Sequence, residues 1–158
     1  MSREYVVALK ESLDKKLKVL EEIYRISKLQ TDVINAQQMD YEAFDRLVDD
    51  KDICLEKLEK LDEGFELVYT RVSDELKTNK SAYSDLILAM QETITKITDK
   101  STAISALEER NRQGLSNVFN KERKELSDGK RSVNVAMNYY KNMTGLSVES
   151  SQYMDWKK

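Results

Sequence analysis

Proline and histidine are absent from the 158 residues, cysteine and tryptophan occur once each, and glycine occurs four times. The two residues that most strongly interrupt helices are therefore missing or scarce. The lack of histidine removes the commonest general base, the commonest zinc ligand and any Ser-His nucleophile pair. It also excludes the Glu-x-x-His ligands of di-iron helical bundles. With Cys54 alone, no internal disulfide forms, and its place in a helical apolar pattern reads as a buried thiol. Long apolar runs are missing too: "YVVAL" and "LILAM" fall far below the ~20 residues of a membrane span, and the opening "MSREYVVALKESLDKK" has no secretory apolar core. A soluble, cytoplasmic protein without membrane insertion is expected.

Charge excludes further classes. The net charge of −3 gives no reason to expect nucleic acid or an anionic membrane as a partner. Glycine-rich phosphate loops are missing. The stretch "DDKDICLEKLE" at 49–59 has acid spacing that suggests a calcium loop, but it lacks glycine at the sixth loop position and carries a helical apolar period. No metal, no cofactor and no catalytic residues are expected. Residues 41–80 hold 7 basic and 12 acidic side chains, and residues 131–158 hold 4 and 2. Solvated helix faces account for that difference, although an acidic second segment and a basic end also attract one another.

What is present is amphipathic helix. Over 3–37, a stripe of Tyr5, Val6, Leu9, Leu13, Leu17, Leu20, Ile23, Tyr24, Ser27, Leu29, Val33 and Ile34 recurs in steps of three and four. Asp40 is suited to cap a second helix over 41–77, whose stripe runs Phe44, Leu47, Val48, Cys54, Leu55, Leu58, Leu61, Phe65, Val68, Tyr69, Val72 and Leu76, with Lys51 as its one charge near the start and Gly64 as a weak point. A third helix over 82–127 runs Tyr83, Ile87, Met90, Ile94, Ile97, Ser101, Ile104, Glu108, Asn111, Leu115, Val118 and Glu122, which is the 3.5-residue period of coiled-coil packing. The β-branched stretch "TITKITDKSTAIS" offers Ser101 as an alternative cap, but the unbroken phase predicts one continuous helix. Glu108 and Glu122 read as partly solvated seam charges that set register. Short links predict up-down-up packing, with the end of the longer third helix, at Val118 and Phe119, overhanging its partners.

After Gly129 a short fourth helix over 131–143 presents Val133, Ala136, Met137, Tyr140 and Met143. Methionines and tyrosines on such a face suit a partner's helix, and equally suit docking on the chain's own bundle. Residues 144–158 form a flexible polar tail with Tyr153, Met154 and Trp156. It is read as a short motif presented to a second protein, as a segment packed back on the bundle, or as a segment with no role. The expected fold is all-α: an elongated antiparallel three-helix bundle or coiled coil, with the fourth helix completing one domain over 1–143.

Three stretches carry a resemblance to a known family: "DYEAFDRLVDDKDICLEKLEKLDEGFELVYTR", "ALEERNRQGL", and "YYKNM" followed by a polar linker and "YMDWKK". Together with the order and lengths of the helices, they resemble the FlgN-like flagellar export chaperones of bacteria, a type III export chaperone family. The resemblance implies a cytosolic, non-enzymatic chaperone for hook-filament junction (hook-associated) proteins. It would bind their C-terminal helical region, prevent premature assembly and deliver them for export. In that family the C-terminal portion carries substrate contact, which maps onto Val133, Met137, Tyr140 and Met143. The tail has no assured equivalent and is an alternative contact for the export apparatus. A second reading, a non-catalytic coiled-coil adaptor or scaffold that forms a homo-oligomer, stays open.

Overall fold

The computed structural model describes residues 2–123. Among them are three α-helices, α1 (Ser2–Ile34), α2 (Tyr41–Thr78) and α3 (Ser84–Glu122), with a 3-10 turn at Lys80–Tyr83 and no strand. The helix expected over 131–143 and the tail over 144–158 lie outside the described residues. The boundaries follow from local chemistry. Asp40 accepts a hydrogen bond from the Ala43 backbone N–H at 3.0 Å, capping α2 as its sequence predicts. At the other end of α2, the Asn79 backbone N–H donates to the Glu75 carbonyl at 2.9 Å. The Glu75 carboxylate also receives the Asn79 amide at 3.0 Å and the Tyr83 hydroxyl at 3.3 Å, which ties down the link to α3. α3 is continuous through Ser101, which is buried on its stripe rather than acting as a cap.

Side-chain contacts define how the helices lie. Between α1 and α3, the pairs Arg3–Asp85, Asp14–Thr93, Ser27–Glu108 and Thr31–Asn111 are 82, 79, 81 and 80 residues apart. A constant separation means that these helices run parallel and in register. Between α1 and α2 the separation shrinks along α1, from 49 at Ser12–Leu61 to 46 at Lys16–Asp62 and 21 at Gln30–Lys51, so these run antiparallel. α1 packs closely along both α2 and α3, whereas the backbones of α2 and α3 scarcely approach each other. α1 is therefore the shared element.

Its heptad positions face both other helices. Val6, Leu9, Leu13, Leu20, Ile23 and Ile26 are buried against Leu58, Phe65, Val72 and Leu76 of α2 and Met90, Ile94, Ile97 and Ile104 of α3. Each fully buried aliphatic side chain stabilises the fold by ~1.5–3 kcal/mol. A second, smaller cluster joins Ile34, Met39, Phe44 and Leu115, with Val33, Tyr41, Val48 and Val118 packed on it.

The overhang expected of the third helix is not found among the described residues. α2 and α3 have 38 and 39 residues, and the Tyr41 hydroxyl at the start of α2 donates to Glu122 at the end of α3. The segment between α1 and α2 extends the packing by tucking Met39 beneath that end. One further expectation is corrected. Leu29, placed on the α1 stripe by its apolarity, is 39% exposed, and the strict three-four phase buries Gln30 and Lys16 instead. Lys16 pairs with Asp62 at 2.8 Å.

Two glycines test this packing with opposite signs. A Cβ at Gly64 meets nothing within 4 Å, while a Cβ at Gly114 would stand 2.7 Å from Cγ2 of Ile34, where α1 and α3 approach. Gly64→Ala should stabilise the protein by ~0.5–1 kcal/mol. Gly114→Ala should destabilise it by up to ~2 kcal/mol, because overpacking against a stiff β-branched side chain exceeds the gain in helix propensity. Denaturant unfolding of the two variants checks both signs.

Candidate functional site

The end of the molecule near residue 123 is where the chain leads towards the candidate partner-binding series. Of the nine residues singled out in the sequence, Val118 and Phe119 are described. Val133, Met137, Tyr140, Met143, Tyr153, Met154 and Trp156 lie outside the described residues. Val118 is half-buried against the small cluster around Phe44 and Leu115. Phe119 is half-buried on the neighbouring face, with the Arg123 guanidinium 5.9 Å from its ring centre. The two are thus adjacent on α3 but do different things, one packing inward and one holding a cation at the surface.

Immediately beyond this cluster lies a layer of buried polar groups. Lys51 on α2 is 0% exposed and Glu108 on α3 is 6% exposed, and they pair at 2.5 Å. The Lys51 ammonium also donates to Gln30 Oε1 on α1, and the Ser27 hydroxyl donates to the same Glu108 oxygen at 2.5 Å. Asn111 donates to the Ser27 carbonyl at 3.0 Å and accepts from the Thr31 hydroxyl at 2.6 Å. The second oxygen of Glu108 has no hydrogen-bond partner among the described residues. All three helices thus contribute to one connected network.

Its electrostatics follow from burial. Desolvation pushes the Lys51 ammonium below the ordinary lysine range, and the adjacent Glu108 carboxylate opposes that shift. Glu108 was expected to be partly solvated, but burial of the α1–α3 seam on both sides makes it a core residue. Cys54, one turn along α2 from Lys51, is a buried thiol whose pKa is raised by burial first and by nearby Glu22 second. Sequence reasoning saw Lys51 and Glu108 as separate charges on two stripes. Their pairing is set by the interhelical register; the α1 stripe includes Ser27, which is buried, but its mainly apolar tracing passes over Gln30 and Lys16.

The acidic excess of the second segment lies elsewhere. Asp45, Asp49, Asp52, Glu56, Glu59, Glu63 and Glu66 alternate by four and three along one face of α2, and all are exposed. Partial burial and then the like charge of Asp49 raise the Asp45 and Asp52 pKa values, with Glu56 adding to the effect at Asp52. This ridge is a solvated face. Among the described residues no group of three or more His, Cys, Asp or Glu side chains is arranged to hold a metal ion. No described helix is long and apolar enough to cross a membrane.

The buried pair makes a specific energetic prediction. Lys51→Met leaves a carboxylate buried without its cation and should cost ~3–5 kcal/mol. The combined variant Lys51→Met/Glu108→Leu should be close to neutral, or more stable than the parent by ~1–4 kcal/mol, since apolar replacement removes both desolvation penalties. Urea unfolding of the parent, both single variants and the double variant checks this. A single variant that costs under ~0.5 kcal/mol, as surface ion pairs do, contradicts the buried network.

Comparison with known proteins adds one finding. Residues 1–141 match the model of a family described as FlgN protein. No curated protein and no solved structure matches the chain. The family match takes in all three described helices and runs past them through Val133, Met137 and Tyr140, stopping short of Met143 and the tail. The chain belongs to the FlgN family, the flagellar export chaperones.

Proposed function

We propose that this chaperone works in the cytoplasm on hook-filament junction subunits, the hook-associated proteins. It binds their C-terminal helical region, keeps them from assembling early and delivers them to the export apparatus. The observation that carries this reading is the family match over residues 1–141. The physical argument is compatible with it. A subunit waiting for export has amphipathic terminal helices that would self-associate, and adding such a helix to another helical surface buries the apolar stripes of both. The client must also leave again, which favours a moderate interface.

The binding face is assigned to Val133, Met137, Tyr140 and Met143 on a fourth helix over 131–143, with Val118 and Phe119 leading into it. This helix completes an elongated coiled-coil bundle that forms one domain over 1–143. Tyr153, Met154 and Trp156 act as an anchor on the tail over 144–158, for the client or for the export apparatus. The chaperone acts by binding alone, without catalysis or a cofactor.

The test is binding of the full-length protein to a hook-associated subunit, followed by calorimetry and size-exclusion chromatography. Met137→Asp/Tyr140→Asp should weaken the complex by roughly 30-fold or more, the loss expected when central anchors are removed. Trp156→Ala should weaken it less and leave Tm unchanged. Full binding by the charged variant overturns the assigned face. Self-association that survives removal of residues 130–158, with no client bound, favours a structural adaptor instead.

A further inference from the structure

The buried apolar residues of the described helices fall into two separate clusters, with only half-buried Leu47 of α2 reaching past Lys51 to the larger one. The large cluster reaches Ile104 on α3 and Cys54 on α2, and the small one begins at Ile34, Phe44 and Leu115. Between them sits the polar layer of Ser27, Gln30, Lys51, Glu108 and Asn111, all buried and drawn from the three helices. Opening a helical bundle through an apolar layer exposes greasy surface on both sides of the break. Opening it here exposes Lys51 and Glu108, whose hydration is regained when water enters. A buried ion pair contributes little net stability, because desolvation offsets its Coulombic attraction. The cost of opening is therefore lower at this layer than at an apolar one; the buried Lys16–Asp62 pair in the long core differs because Leu13, Leu20, Leu58 and Phe65 of one cluster flank it on both sides.

Size reinforces the asymmetry. The small unit has four buried apolar residues, against sixteen in the large cluster. The opposite end has no such break: Val6, Leu76, Tyr83 and Met90 belong to the large cluster. That end is further held by the Glu75 contacts to Asn79 and Tyr83 and by the 2.7 Å Arg3–Asp85 pair.

We infer that the Lys51–Glu108 layer is a built-in fracture plane, across which the end unit of Ile34, Met39, Phe44, Leu115 and Val118 opens while the long core stays folded. Opening uncovers Phe44 and Val48 on α2 and Leu115 and Val118 on α3, an apolar strip continuous with the chain that leads to Val133. Its occupant is the amphipathic client helix of the proposed function, and that part of the inference rests on the chaperone reading. The polar layer then limits how far a client helix enters, since an apolar guest side chain placed against Lys51 and Glu108 would bury them without partners.

Hydrogen exchange of the full-length free protein tests the plane without a client. After correction for intrinsic rates, amides of 42–49 and 112–120 should exchange roughly tenfold or more faster than those of 72–76 and 90–97, although both sets lie towards helix ends. In Lys51→Met/Glu108→Leu the two cores merge and the difference between the ends should shrink towards parity. Equal protection at both ends of the parent overturns the inference, and so does a difference that the double variant leaves unchanged. If that variant fails to fold, the comparison within the parent still decides. Adding a hook-associated subunit should slow exchange at 42–49 and 112–120. Binding that leaves these amides unchanged overturns the assignment of the client to this strip. Absence of any binding overturns the proposed function, while the free-protein comparison still decides the fracture plane.

Discussion

A lysine ammonium on α2 and a glutamate carboxylate on α3, 2.5 Å apart and removed from water, hold together two helices whose backbones scarcely approach each other. α1 supplies the surface on which both pack, and its Ser27 and Gln30 complete the hydrogen bonding of the pair. Such a contact adds little to net stability, yet its geometry is demanding: sliding any helix by one turn would leave a buried charge without its partner. The parallel register of α1 and α3 and the antiparallel course of α2 all converge on this layer. The two apolar clusters are what remains on either side of it.

Much of this architecture is legible in the sequence, and the limits of that reading are physical. The unbroken three-four phase from Tyr83 to Glu122 specifies one long α3 despite its β-branched stretch, because tertiary burial of Ile94, Ile97 and Ile104 outweighs their weak helix propensity. Asp40 is equally plain, since a cap acts through neighbouring backbone. Pairing across 57 residues is not local: Lys51 and Glu108 each stand out on their own stripes, but only the register of three helices brings them together. Tracing α1 through apolar residues selected Leu29 and passed over Gln30, because a buried polar residue mimics an exposed one in composition. The expected overhang at Val118 came from helix length alone. It ignored Met39, which the connection between α1 and α2 carries under the same end.

Membership of the FlgN family joins this fold to flagellar export, and the energetics suit such a role. A chaperone that must accept and release helices needs stable and yielding regions within one molecule. The long core around Leu13, Leu20, Ile94 and Ile104 supplies stability. The short unit around Phe44 and Leu115 is closed off from that core by charge. The acidic ridge from Asp45 to Glu66 keeps the outer face of α2 strongly hydrated.

Lys51 is a core residue held against Glu108, and an NMR titration of the lysine side-chain nitrogens observes this directly. Lys51 should give a separate resonance that titrates below the surface lysines, with ammonium protons that exchange slowly with water. A Lys51 resonance that titrates together with the exposed lysines, with protons lost rapidly to solvent, would show that the layer is wet, contradicting the account.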